Sequence, residues 1–471
     1  MQKMMVIIVG LLLTAKCMAA THYVVPPGTA GVTATAPYTN WATAGTNLID
    51  VVNAAMTNST PRIVWVTNGN YRMTNVINVT NSLTIRSING RDFTSLNGNS
   101  PFYTNRCIYY SANEQVFDGF TVSNYYNING DGIIFGNNYI NIYNCSFTGN
   151  TNKYGTSGGN GGAVYINQGG QVTNCIFKNN YASTYGGAMA GADIRSYLKI
   201  DRCRFENNIA LNIGGGALYL RGYNISVSNC VIVNNRCSSL GGGIDNSGGN
   251  NYGDSLTISK CSITGNIVDC QGSVKSGIGG GVACYGQTTI KDCSIIGNVS
   301  TNISGGVWGT NLTMRNSLIA LNRASTNIGG GVWMTNGIVE SCTIVSNYAG
   351  VAGGGLYFNG PAVGTNNIVY FNTAPNGANF TNTAGNAGLN YSCVIPAVNG
   401  AGNITNNPVL KNLAGGDYRL RMTSPCVNAG TNQPWMTNAV DLEGNARILK
   451  NIVDMGTYET RIWQGTIFRV P

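Results

Sequence analysis

The chain has 471 residues, of which 64 are glycine, 10% are charged and 43% are hydrophobic, with a formal net charge of +9. With 25 Tyr, 12 Phe and 6 Trp it is too aromatic and too weakly charged for a disordered chain. The glycine content and sparse charge also argue against a compact helical protein.

At the start, Lys3 precedes an apolar run from Met4 to Leu13, followed by small residues around Ala19 and Ala20. This pattern reads as a secretory signal over residues 1–20. Lys16 stands before Cys17 where a lipoprotein signal needs a small residue, so soluble export is expected. No later segment is a continuous apolar span, so no transmembrane segment is expected in the mature chain.

Next come His22-Tyr-Val-Val, a candidate helix from Asn47 to Ala55 with Thr46 or Asn47 as its cap, and a strand-like run from Arg62 to Tyr71. Leu83–Asn89 and Val116–Asn124 read as early, irregular rungs. A cap is needed because a bare terminal rung exposes strand edges.

From Cys145 to Asn372 one phrase recurs nine times: a small or thiol residue, an aromatic or aliphatic residue two positions on, and Asn five positions on. Its anchors are Cys145, Cys175, Cys203, Cys230, Cys261, Cys293, Ser317, Cys342 and Asn367, spaced 30, 28, 27, 31, 32, 24, 25 and 25 residues apart. A second phrase, a glycine run followed by an aliphatic residue, lies between them, as in Gly161-Gly-Ala-Val164 and Gly353-Gly-Gly-Leu356. The period-two alternation and the abundance of Gly and Asn exclude helices. Coils of two or three short strands predict an all-β, right-handed parallel β-helix in which each strand pairs with its counterpart one turn away.

Phe147, Phe177, Phe205, Ile232, Ile263, Ile295 and Ile344 must then point inward, and the cysteines on the same face form an internal ladder. The Asn column is expected to take left-handed backbone angles and to bond from coil to coil. Parallel thiols on adjacent rungs suit packing better than disulfides. Cys107, Cys237, Cys270, Cys284, Cys393 and Cys426 lie outside the column, and Cys237 with Cys270 is the first pair to test. No short two-residue Cys spacing occurs and His22 is the one histidine, so no zinc or other metal site is expected.

These Cys-x-Phe-x-x-Asn and Gly-Gly-Ala phrases resemble the repeats of polymorphic outer-membrane proteins and, more broadly, the pectin-lyase-like β-helix superfamily. The stretches Asn406–Leu420, Ser424–Gly430, Asp441–Arg447 and Val453–Glu459 resemble the choice-of-anchor Q domain, which implies a small C-terminal β-rich domain over 403–471 after a β-helix over 21–402. Cys426 and Asn428 stand where that family commonly has Ala and Asp, so Cys426 is expected to be buried rather than bonded. Sorting tails often follow this domain; here only 460–471 remain.

The residues one past each glycine phrase should face outward: Tyr165, Ala190, Tyr219, Asp245, Ala283, Trp308, Trp333 and Tyr357. A stripe of this kind either stacks on sugar rings or stabilises neighbouring rungs. Tyr165, Tyr219, Asp245, Trp308, Trp333 and Tyr357 are therefore the candidate substrate-binding residues. The superfamily resemblance implies Asp-held calcium with an Arg or Lys base in lyases, and two or three Asp in hydrolases. Asp193, Arg195, Lys199, Asp201 and Arg202, with Arg221 and Asp245 on neighbouring coils, are the available material, but no acidic column repeats, so no catalytic set is assigned. Scattered basic residues give no nucleic-acid surface.

The reading at this level is an exported protein, secreted or associated with the outer membrane at the cell surface, acting in adhesion or binding a polysaccharide or cell-surface glycan. The alternative is a pectate-lyase-like polysaccharide lyase, with calcium as its implied cofactor, or a glycoside hydrolase.

Overall fold

The computed structural model describes residues 20–58, 62–100, 104–153, 158–246, 254–270, 277–385, 388–449 and 451–461. Residues 1–19 of the signal expected over 1–20, and the chain beyond Arg461, lie outside the described residues.

The described chain is nearly all β, a parallel solenoid of about 12 turns with one short helix and a small C-terminal antiparallel sheet. It is a right-handed parallel β-helix, the hand that parallel crossovers take. A regular coil has four short strands, as in Val164–Ile166, Gly169–Thr173, Ile176–Lys178 and Tyr181–Ala182. The first two belong to a 23-stranded sheet, the third to a 13-stranded sheet and the fourth to a 9-stranded sheet.

Register follows the repeat: Phe147 pairs with Phe177, Phe177 with Phe205 and Phe205 with Ile232. These rings are buried and stacked at 4.8 Å, with interplanar angles of 12° and 9°. The cysteine file lies beside them, buried and free of disulfides. The backbone N–H of Cys145, Cys175 and Cys203 bonds to the sulfur one coil on, 3.4 Å from Cys145 N to Cys175 Sγ and from Cys203 N to Cys230 Sγ. Ser317 Oγ and Asn367 Oδ1 take over the acceptor role where cysteine is replaced.

The Asn column is a continuous buried ladder. Asn208 donates its backbone N–H and its Nδ2 to Asn235 Oδ1, each at 2.9 Å, and Asn235 repeats this toward Asn266 at 3.0 and 2.9 Å. The second Nδ2 hydrogen goes back one coil, from Asn235 to Phe205 O at 3.1 Å. The expectation that these Asn take left-handed angles is corrected by one position. The residues with positive φ are those just before them, such as Asn179, Asn207 and Asn234, which make the corner so that the column amide can turn inward.

The glycine phrases also stack. A Cβ on Gly216 would lie 2.1 Å from the Gly242 carbonyl oxygen of the next coil, so no side chain fits between turns there. Gly215 beside it has φ +68°, which favours glycine.

At the N-terminal end, the helix Leu48–Met56 closes the open core. Asn47 Oδ1 accepts from Ile49 N at 3.0 Å as its cap, and Leu48, Val51, Val52 and Ala55 are the buried face. At the other end, the antiparallel pair Leu410–Asn412 and Asp417–Leu420 opens the C-terminal unit. That unit flanks the solenoid. A second core joins Leu318, Ala320, Val345, Ile368 and Cys393, on the outer face of the 13-stranded sheet, to Leu410, Tyr418, Leu420, Cys426 and Met455. Thr457 stitches the units together, its Oγ1 donating to Ser317 O at 2.8 Å and accepting from Thr343 N at 2.9 Å. Inside the unit, fully buried Arg447 pairs with Glu459 at 3.3 Å.

Candidate functional site

Parallel pairing sets the eight residues of the outer stripe into one file. Tyr165 lies against Ala190, Ala190 against Tyr219, Tyr219 against Asp245, Asp245 against Ala283, Ala283 against Trp308, Trp308 against Trp333 and Trp333 against Tyr357. They leave the solenoid interior, yet most are covered. Asp245 is 0% exposed, Tyr219 6%, Trp308 6% and Trp333 8%. A second layer formed by Leu240, Ile278, Ile303 and Ile328 packs over Ala283, Trp308 and Trp333 as a satellite core. Leu240, Ile278 and Ile328 stand just before a glycine run and Ile303 two residues before one, so these phrases fold their own cover over the rings behind them.

The expected solvent-open stripe is therefore corrected: only Tyr165 and Tyr357 of its rings are half-exposed. Ring faces are also occupied by neighbours, with Trp308 on Trp333 at 5.2 Å and 6°. The two Trp rings cover each other's faces, a contact that stabilises neighbouring rungs.

The file continues toward the N-terminus through residues the repeat phrases do not announce. Tyr109, Phe135 and Tyr165 are in register, with centroids 5.2 and 5.0 Å apart at 16° and 14°. The Arg106 guanidinium lies 5.6 Å from the Tyr109 ring centre and 5.0 Å from that of Phe135. The sequence signal was spacing alone, since Phe135 precedes Tyr165 by one coil and Tyr109 by two.

Beside the file, where the first strand of a coil meets the second, the structure gathers charge. Asp193 sits at φ +53° in an irregularity between Gly191 and Ile194, which swings its carboxylate outward. The Arg221 guanidinium lies 3.7 Å from it, with the Tyr219 phenol beside it. Buried Asp254, one coil on, is near enough for the same guanidinium's charge to act on it.

Burial pulls the Arg221 pKa down, but the Tyr219 phenol and the charges of Asp193 and Asp254 outweigh it and raise it above the ordinary value. Burial is the main cause that raises Asp254, with Arg221 opposing. The Tyr219 phenol is raised by burial first and by Asp245 next. Tyr285 is extruded at a bulge between Cys284 and Gln287 and leans on Trp308 at 4.5 Å.

The remaining candidates are elsewhere or engaged. Asp201 Oδ1 accepts from Ser228 Oγ at 2.8 Å and from Asn229 Nδ2 at 2.7 Å, at the far corner of its strand. Burial raises its carboxyl, but those two bonds and Arg202 bring it net below the usual range. Arg202 pairs with Asp201 at 3.2 Å, and Arg195 and Lys199 are exposed. Asp245 is enclosed, with Gly214 making room for its carboxylate. Among the described residues no cluster of His, Cys, Asp and Glu is arranged to hold a metal, and no helix is long and apolar enough to cross a membrane.

No family model and no curated protein matches this chain. Among solved structures it is similar to one titled "Crystal structure of pectate lyase Pel9A", at 15% identity and a TM-score of 0.41, over 94% of this chain and 96% of that chain. At that identity and TM-score nothing about activity follows from the likeness.

Proposed function

We propose that the chain is an exported β-helix protein that binds a polysaccharide without cleaving it, through the Asp193, Arg221 and Asp254 cluster and its tyrosine neighbours. The observation that carries this reading is the place of Arg221: its partly exposed guanidinium lies 3.7 Å from Asp193 on a rigid sheet, where its N–H groups suit hydrogen bonding to hydroxyl or carboxylate groups of a glycan. A partly exposed cation flanked by acceptors on a rigid sheet presents a fixed polar pattern, and chain length along the solenoid lets successive sugars meet successive coils.

Export and a surface role draw support from the signal-like start and from the resemblance of the repeats to polymorphic outer-membrane proteins and of the C-terminal motifs to choice-of-anchor Q. Placement at the outer membrane belongs to the same proposal.

The lyase reading uses the same cluster: Asp193 and Asp254 would hold calcium and Arg221 would take the proton. One experiment separates the two. Purified protein is incubated with polyuronates and neutral plant or algal glycans, with calcium present, and compared with Arg221→Gln. Retention lost in the variant, with no new unsaturated or reducing ends from the wild type, agrees with binding. Ultraviolet-absorbing ends from the wild type would replace this reading with a lyase, and new reducing ends alone with a hydrolase.

A further inference from the structure

Seven of the fourteen cysteines form the internal file, and of the others Cys393 and Cys426 meet where the C-terminal unit docks. Cys393 lies in the last strand of the 13-stranded sheet in register with Ile368, which continues Thr343 and Leu318 of the coils before it. That is the outward file of the sheet. The inward place in the same coil is taken by Ser392, whose Oγ accepts from Asn367 N at 3.1 Å. Cys393 thus points away from the solenoid interior and into the second core, where the C-terminal unit delivers Cys426.

Both are 0% exposed and sit in the same small core; the Cys393 thiol donates to Asn406 O at 3.1 Å, and the neighbouring Cys426 together with burial pushes its pKa up. Their backbones are fixed on both sides of the junction. Cys393 N donates to Asn367 O at 2.8 Å, Cys426 N to Ser424 Oγ at 3.1 Å, and Met455 N to Cys426 O at 3.0 Å. The side chains come from separate elements across the junction, unlike the file cysteines, which follow one another along a single strand column.

Both are free thiols in the structure, and the sequence reading expects Cys426 to be buried rather than bonded; against that expectation we propose that Cys393 and Cys426 form a disulfide that fastens the C-terminal unit to the last coil. In an oxidising compartment the electron acceptor is a small-molecule or protein disulfide, such as oxidised glutathione. One cysteine thiolate attacks that disulfide, releasing one thiol and leaving a mixed disulfide. The second thiolate then attacks the protein sulfur and releases the other thiol. Two protons leave the cysteines, and the two electrons end on the reduced reagent. Because both sulfurs are buried once the unit has docked, the exchange takes place as it docks.

The test uses the full chain, refolded in a buffer of reduced and oxidised glutathione. Remaining thiols are alkylated in denaturant, and the protein is digested without reduction and mapped by mass. The expected result is one bridged peptide pair joining Cys393 to Cys426, two fewer alkylated thiols than in the reduced protein, and a newly alkylated Cys426 in Cys393→Ser. Full alkylation of both residues, or a map dominated by another pair such as Cys237 with Cys270, would overturn the proposal. If the variant does not fold, the wild-type map alone decides. Neither readout depends on glycan binding or on where the protein resides.

Discussion

Replacing Asn235 by Ala tests how the coils are held together. Asn235 is fully buried. Its Oδ1 accepts two bonds from Asn208 at 2.9 Å, and its Nδ2 donates to Asn266 Oδ1 at 2.9 Å and to Phe205 O at 3.1 Å. The substitution leaves the Asn208 backbone N–H and one Asn208 Nδ2 hydrogen without acceptors and takes a donor from Phe205 O. At about 1–3 kcal/mol for each of these three buried groups, the loss is about 3–9 kcal/mol.

Asn336→Ala is the control, because the Asn336 to Asn311 bond of 3.1 Å lies on the exposed face and is worth under about 1 kcal/mol. Hydrogen exchange in the full chain reads the effect locally. Amides of the three coils around Asn208, Asn235 and Asn266 should lose protection while the N-terminal coils keep theirs, since a solenoid couples mainly nearest neighbours. Equal protection in Asn235→Ala and Asn336→Ala would refute the claim that the ladder holds the turns.

Trp333→Ala should destabilise its coil by about 3–5 kcal/mol, read as a lower melting temperature, while leaving polysaccharide retention unchanged at a temperature where the variant is folded; lost retention there would return the covered stripe to the binding site. Native protein treated with a thiol reagent should leave the file from Cys145 to Cys342 unlabelled, all of it buried, and label it fully in denaturant; rapid native labelling would contradict the internal file. Burial pushes Glu459 up to about 8, with Arg447 opposing. Because the folded value exceeds the ordinary one, folding takes up a proton, and the C-terminal unit should lose protease resistance as pH rises from about 4.5 toward 8. Glu459→Gln should flatten that dependence, and an unchanged slope in the variant would assign it to another group.

The internal files were legible in the sequence because stacking makes each column a spacing: Phe147, Phe177 and Phe205 reveal their contact by lying one coil apart. The cap at Asn47 was legible from local chemistry. What escaped was what packs outside the coil. Trp308 and Trp333 were placed in the right file but not under Leu240, Ile278, Ile303 and Ile328, since a period-two pattern gives the side of a strand and not what folds over it. The lateral docking of the C-terminal unit did leave a trace. Outward positions change from Ser146, Thr148, Lys178 and Glu206 to Ile296, Leu318, Ala320, Val345 and Ile368, a polar face turning apolar where it becomes covered. The Asp193, Arg221 and Asp254 cluster lay partly hidden because it depends on an irregularity in one coil, which no repeat announces.

Hydrogen-exchange protection by a bound polysaccharide tests the central functional claim most directly. The account predicts slowed exchange confined to 191–196, 219–223 and 254–258, abolished by Arg221→Gln, with the polymer recovered at its original length. Protection elsewhere on the solenoid, or a shortened polymer, would contradict it.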